Sequence, residues 1–591
     1  MNYPPRPPHP LRLKCQTHLT AEDAEDARVL DNAVAPKYCR SYISNAILFS
    51  GTKQHFSTAL QKERSEMRTS RSIALLITIL IAALSAQAQT DPPQQRGQRN
   101  RNPEQQQQQP QTNPQTAGQQ RPAPPPEEKS SVTHHSAKIG GQQINYTATA
   151  ATYNIKADDG SPKATFFFVA YTKDDADAAK RPVSFVYNGG PGSASSYTHM
   201  GLGPRRIVLT DDGFGMPAPY STVENGDSPL DVTDLVFVDA VSTGYSRPVP
   251  GENPAQFYGV EQDANFFADF IYQFLTRNER WASPKFLIGE SYGTTRSAQL
   301  SFTLQRRHQI YLNGIVLVSS VGFGNWGSDD RTIFFLPTLV ASAWYHKALP
   351  PDLQKLSIAE VAQQARMFAH GEYAAALEKG DEISPAEYQK VVKDLAHITG
   401  LSPKYIEQTN LRVSPQRWFK ELLRDKRLTL GRIDARFTGM DSDAAGERYE
   451  YDSSLASYDG SYVAMFQDYV RRELKWNTDM YYTLSARVQP WDQGQPGQPA
   501  ESLRSAMTQQ TYLKVLVLCG YYDVATPFNG IEHTVSHMSL EPAIRKNISF
   551  AYYEAGHMMY IEKKSREKVH KDVSAFINNA SVRTERASGQ Q

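Results

Sequence analysis

The pentapeptide Gly-Glu-Ser-Tyr-Gly at 289–293 places Ser291 between two glycines, directly after an apolar run and before a helix-like stretch. A serine on a sharp strand-to-helix turn projects its hydroxyl clear of the backbone, where it can attack a carbonyl once a base takes its proton. The base, and the acid that orients it, must then come later in the chain, in the order serine, acid, histidine. Asp523 stands just past the apolar run LKVLVLCGYY, and His557 follows a glycine in FAYYEAGHMMYIEK. Both fall at the ends of short apolar segments. Glu554 is a rival acid, only three residues before the histidine; His134, His135 and His346 lie at the start of the domain or in a helical stretch. Acyl transfer also builds negative charge on the carbonyl oxygen, and each backbone N–H aimed at it is worth about 2.7–4 kcal/mol. Tyr292, the residue after the nucleophile, supplies one such N–H. The bare turn NGGPG at 188–192 would let a substrate reach a second, for which Gly190 is the candidate. Read by itself, the same turn could be a turn and nothing more.

The elements that must carry these residues are legible as short apolar strands alternating with amphipathic helices. INYTATAATYNI, KATFFFVAYTK, PVSFVYNGG, DLVFVDA, KFLIGE, LNGIVLVSS and LKVLVLCGYYD read as strands. Phe266, Phe267, Phe270, Ile271 and Phe274 recur at helical spacing in between. Near-continuous apolar strands separated by helices indicate an α/β fold with a mostly parallel sheet covered on both faces. Sites in such sheets lie beyond the carboxyl ends of the strands, where Ser291, Asp523 and His557 are expected. From 325 to 507 the text turns polar and helical, without sheet-like strands, and reads as a cap inserted into the sheet domain.

Residues 67–88, MRTSRSIALLITILIAALSAQA, have a basic start, about a dozen apolar residues and a small-x-small end, which describes a secretory signal peptide. The apolar run is short of the roughly 20 residues a spanning helix needs, with a single membrane anchor as the other reading. The expected organisation is an extension at 1–66 outside the working protein, with translation starting at Met67, a signal peptide at 67–88, and a Gln/Pro-rich tether at 89–131. The sheet domain follows in two parts, 132–324 and 508–585, around the cap at 325–507. The tether has too few apolar residues to offset its ordering entropy. Cleavage after Ala88 removes Cys15 and Cys39 and leaves Cys519 alone, so no internal disulfide is expected. That fits an exported bacterial protein, periplasmic or extracellular, and the sequons at Asn145, Asn547 and Asn579 then read as chance.

The chain has 591 residues, 40% hydrophobic and 21% charged, enough for one large domain or two smaller ones. Its 63 basic and 62 acidic residues give a net charge of +1, which speaks against a nucleic-acid partner. No metal-ligand spacing and no nucleotide loop is present, so no cofactor is expected; the expected partner is a peptide or protein substrate, with no stable membrane insertion once the signal is removed.

Together, NGGPG at 188–192, GESYG at 289–293, Asp523 and Gly-His557-Met resemble the serine carboxypeptidases, peptidase family S10 of the carboxypeptidase C and cathepsin A type, over about 182–560. The segment LVFVDAVSTGYSRP is similar to that family as well, one residue short. The resemblance implies an α/β-hydrolase fold with a helical cap and a carboxypeptidase favoured by acidic pH. It also implies that Asn188, Gly189 and Glu290 grip the C-terminal carboxylate of the substrate. A carboxyl can hydrogen-bond a carboxylate only while one of them holds a proton, so the implied acid optimum calls for a raised Glu290 pKa. Three positions depart from the family: Val186 stands where it has tryptophan, Gly201 where it has a second carboxylate-binding glutamate, and Ser193 where it has cysteine. Arg205 and Arg206 read as surface charges, with carboxylate binding as their alternative role. Three other readings stay open: an aminopeptidase of the proline iminopeptidase kind, an esterase or acyltransferase on the same residues, and an inactive binding module of the cell envelope.

Overall fold

The computed structural model describes residues 126–157, 159–324 and 326–582. The expected extension, signal peptide and tether up to residue 125 lie outside the described residues. Strands β1 (Ser130–Ile139), β2 (Gln142–Lys156) and β3 (Pro162–Lys173) form an antiparallel run. They are followed by β4 (Val183–Tyr187), β5 (Asp234–Val238), β6 (Lys285–Glu290), β7 (Gly314–Val318), β8 (Lys514–Gly520) and β9 (Ile548–Tyr553). The sheet order is β1-β2-β3-β5-β4-β6-β7-β8-β9, with a short piece at Arg247–Pro248 added to β3. From β5 to β9 every neighbour is parallel. This is the α/β-hydrolase arrangement, and it places the carboxyl ends of β4, β6, β8 and β9 along one edge of the molecule.

Burial explains why the central strands are apolar throughout. VSFVY, DLVFV and GIVLV are buried at every position because both faces of the sheet are covered. Phe185, Leu287 and Leu317 belong to the core on one face of the sheet, and Val186, Ile288 and Val316 to the core on the other. Helix α1 (Ser196–Leu202) follows the glycine turn. Helix α2 (Val260–Arg277) lays Phe267, Phe270, Ile271 and Phe274 on the first face, and helix α3 (Tyr292–His308) leaves the GESYG turn to cover it beside α2. Cys519 is buried near the end of β8.

Two boundaries differ from those expected. Order starts before 132: β1 begins at Ser130, and Glu128 already pairs with Arg277 at 2.6 Å and accepts the Asn154 N–H at 2.7 Å. The segment SSVTHHSAKI is a partly exposed edge strand with polar residues throughout, so it carries little apolar signal; its place comes from pairing with β2. At the other end, after α4 (Ser328–Tyr345) and α5 (Ser453–Arg472), helix α6 (Gln498–Gln509) runs across the expected cap limit at 507. It buries Leu503, Ala506 and Met507 in the core shared with α3, and Ser502 donates to Gln299 at 2.8 Å, so α6 packs against the helix that follows the serine turn. The region between is largely helical, with one small strand pair, Thr429–Leu430 with Thr438–Gly439, where none was expected. No helix among the described residues is long and apolar enough to cross a membrane.

Candidate active site

Ser291 closes β6 and opens α3 with φ 59° and ψ −128°, a left-handed backbone that a serine adopts at a cost of about 1–3 kcal/mol. The surroundings hold it there. Its N–H donates to the Val318 carbonyl at the end of β7 (3.0 Å), and its own carbonyl accepts the Thr294 N–H (2.9 Å) and hydroxyl (2.7 Å) at the start of α3. The side chain remains partly exposed while its neighbours on both sides are buried.

His557 and Asp523 meet in a buried hydrogen bond. Nδ1 of His557 lies 2.8 Å from Asp523 Oδ2. In the neutral ring this fixes Nδ1 as the N–H donor and leaves Nε2 as the acceptor. Asp523 is fully buried just past β8, and it accepts the N–H groups of Ala525 and Thr526, each at 2.9 Å, as well as the Thr526 hydroxyl. The His557 backbone is clamped from two elements: its N–H donates to Ile433 (2.8 Å) and its carbonyl accepts the Ser319 hydroxyl (2.6 Å). Because Ser319 follows the residue that binds the Ser291 amide, the end of β7 ties the histidine loop to the serine turn. Burial alone would lower the His557 pKa, but the Asp523 carboxylate and its hydrogen bond, with Glu290 nearby, raise it on balance. Glu554, the rival acid, is exposed at the end of β9.

The glycine turn lies directly on the start of α3. A Cβ on Gly189 would stand 2.3 Å from the Tyr292 nitrogen and 2.6 Å from that of Gly293, so only glycine fits against the serine turn. Gly190 has φ +100° and would bring a Cβ within 2.7 Å of the Gly192 and Ser193 nitrogens. Gly190 and Tyr292 share the wall of a cleft of about 470 Å³, whose other lining includes Val260, Val321 and Phe323. The two candidate N–H donors therefore come from neighbouring turns bordering one cleft.

Asn188 and Glu290 are brought together beneath that turn. The Asn188 amide is fixed by the Thr198 N–H (2.9 Å) and hydroxyl (3.0 Å) on its oxygen, and its nitrogen donates to Glu290 Oε1 at 2.6 Å. The Asn188 carbonyl accepts from Arg296 at 2.8 Å. Arg296 is itself buried, paired with Asp263 at 2.7 Å, and stacked near Phe267. Glu290 is buried, and its other oxygen, Oε2, has no hydrogen-bond partner among the described residues. Burial pushes its pKa up to about 7, against the pull of His557.

Several supporting residues have no local signal in the sequence. Thr526 braces Asp523 and lies 3.2 Å from His557 Nδ1. Asp434, inside the expected cap, accepts the Gly556 N–H at 3.0 Å and pairs with Arg436 at 2.6 Å. Arg205 is occupied by Glu473 (2.9 Å) and Thr222, and it sits with Arg206 on a small strand pair at Arg205–Ile207 and Thr222–Glu224. His346 binds the Ala435 carbonyl in the cap, and His134 and His135 are on β1. No cluster of histidine, cysteine or carboxylate side chains among the described residues is arranged to hold a metal.

Solved structures similar to this chain include a prohormone-processing carboxypeptidase, Kex1, from Saccharomyces cerevisiae, at 16% identity over 74% of this chain and 92% of that one, with a TM-score of 0.46. A proline iminopeptidase from Mycobacterium smegmatis is 14% identical over 73% and 98%, with a TM-score of 0.31. A thermophilic esterase from Thermogutta terrifontis is 12% identical over 73% and 99%, also at 0.31. Comparison with curated proteins gives no match. The family model for serine carboxypeptidases, peptidase S10, matches residues 143–581, which takes in the glycine turn, the serine turn, the cap and the Asp523–His557 pair. By that match the chain belongs to the serine carboxypeptidase family and is a serine hydrolase.

Proposed function

We propose that the protein removes C-terminal residues from peptides through an acyl-enzyme on Ser291. In this reading His557 Nε2 takes the Ser291 proton as Oγ attacks the last peptide carbonyl. The oxyanion is held by the N–H groups of Gly190 and Tyr292. The protonated imidazole then gives its proton to the departing amine, and water hydrolyses the ester by the same steps. Asp523 holds the ring in the required tautomer.

The observation that carries the reading is the Asn188–Glu290 pair beside the nucleophile. Oε1 of Glu290 is taken by the Asn188 amide, so the proton retained by this buried carboxyl belongs on Oε2. That oxygen can donate to a substrate carboxylate. A pKa of about 7 keeps the proton in place through the acidic range, and its loss above that range would set two negative charges face to face. With Gly189 beneath the turn, Asn188 and Glu290 then select a free C-terminus.

The test uses residues 89–591 and a blocked dipeptide with either a free or an amidated C-terminus, from pH 4 to 8, with Ser291→Ala as control. Cleavage of the free acid only, stronger at low pH and absent in the control, is expected. Equal cleavage of both, or of esters alone, would overturn the exopeptidase reading in favour of an esterase or acyltransferase. We further propose export to a periplasmic or extracellular site, supported by the signal-like text at 67–88. Finding the natural protein in the cytosolic fraction with residues 67–88 intact would overturn it.

A further inference from the structure

Glu290 Oε2 is one of two unpartnered polar atoms at the same place. The other is the hydroxyl of Tyr560, which is buried three residues after His557 in a short turn at Met559–Ile561. The hydroxyl lies close enough to the Glu290 carboxyl for the two to interact, but in a geometry too poor to count as a hydrogen bond for either atom. Leaving a buried donor or acceptor unpaired costs about 1–3 kcal/mol, so two such atoms facing one another beside a nucleophile need a reason. Around the carboxyl stand Asn188, His557, Asp523 and Tyr560, with Tyr197 from α1 and Tyr462 from α5. Among these, Tyr560 is the tyrosine whose hydroxyl is both fully buried and without a hydrogen-bond partner, while the Tyr197 hydroxyl is taken by Asp459 at 2.8 Å.

The ring is placed deliberately by its neighbour. A Cβ on Gly201 in α1 would stand 2.2 Å from Tyr560 Cδ2 and 2.3 Å from Cε2, so the tyrosine occupies the space that any side chain at 201 would need. Position 201 thus offers no acid to the site, and the phenol stands there instead.

We propose that Tyr560 is a specificity-determining residue, its hydroxyl donating a hydrogen bond to the C-terminal carboxylate of the peptide beside the proton-bearing oxygen of Glu290. This rests on the carboxypeptidase reading above. The two donors differ in kind. Glu290 can donate only while protonated, whereas burial and the adjacent carboxyl hold the Tyr560 phenol neutral far above the working range. Tyr560 supplies the half of the clamp that does not titrate.

Tyr560→Phe keeps the ring against Gly201 and removes only the oxygen. The expected result is a KM for the free-acid dipeptide raised roughly 10- to 100-fold, as for loss of a hydrogen bond to a charged group, with kcat and the cleavage of a matched ester nearly unchanged. In the Ser291→Ala background, calorimetry should show the same loss of affinity for the free acid and none for the amide. If the unaltered enzyme itself does not distinguish acid from amide, the carboxypeptidase reading fails and this one with it. If it does, and Tyr560→Phe keeps the preference or loses acid and ester equally, only the assignment to Tyr560 is overturned.

Discussion

Two buried carboxyls belong to the candidate site, one beside Ser291 in the chain and one bonded to His557, and they are treated in opposite ways. Asp523 is saturated: two backbone N–H groups, a threonine hydroxyl and the imidazole all point at it. Glu290 has one fixed partner, Asn188, and an oxygen with none. The first arrangement holds a charge in one place and orients a ring; a carboxylate so bonded has nothing left to offer a ligand. The second favours the protonated form through burial, with a pKa pushed up to about 7, and leaves one oxygen unbonded. In the function proposed above, the difference separates the groups that would act on every acyl substrate from those that would act only on one with a free carboxylate.

Substitutions should follow that division. The largest effect is expected at the chemistry itself: Ser291→Ala should abolish cleavage of peptides and esters alike, a loss on the order of 10⁶-fold in kcat by comparison with other serine hydrolases. Asp523→Asn should lower kcat by about 10⁴-fold on both substrate classes, because the amide favours the wrong ring tautomer. Equal residual activity with acid and ester would support the division; a loss confined to free acids would break it. Glu290→Gln should act on free acids alone and mainly through pH. In the unaltered enzyme, kcat/KM for a free-acid peptide should fall as pH rises through about 7, since the proton on Glu290 is present below that value and lost above it. A glutamine donates at every pH, so the fall should vanish from the acid's profile while the ester's stays as it was. The smallest effect is expected for Thr526→Val, which removes one of several bonds to Asp523 and should lower kcat only a few-fold, roughly the worth of one hydrogen bond.

What could be read from the sequence, and what could not, follows the range of the contacts. The serine turn and NGGPG are local motifs, because a tight turn and a close backbone approach impose glycine at fixed offsets; Gly189 against the Tyr292 nitrogen is such a case. The parallel strands were legible because burial on both faces makes them apolar throughout. Strand β1 was not, because an edge strand built from SSVTHHSAKI is defined by its pairing and not by its composition. Asp434 and Ser319 reach the histidine loop through the fold, from 122 and 238 positions away, while Thr526 and Tyr560 lie only three residues past Asp523 and His557 but in no pattern that marks them. The same holds for Gly201. Its departure from the family's glutamate looks in the sequence like a lost function, but beside the Tyr560 ring it is a matter of space. Buried Arg296 and Asp263, which hold the Asn188 carbonyl from below, likewise look like ordinary helix charges until α2 and α3 are packed together.

Cys519 gives the molecule a built-in reporter. The thiol is buried on a strand with a neighbour on each side, and burial raises its pKa well above the ordinary value, so a maleimide or iodoacetamide added to the native protein should meet no accessible thiolate to attack it. Alkylation can proceed only when the sheet opens between β7 and β9. Its rate in the chain from 89 onward, where this is the one cysteine, would therefore time the opening of the strands that lead to Asp523 and His557, without any engineered cysteine.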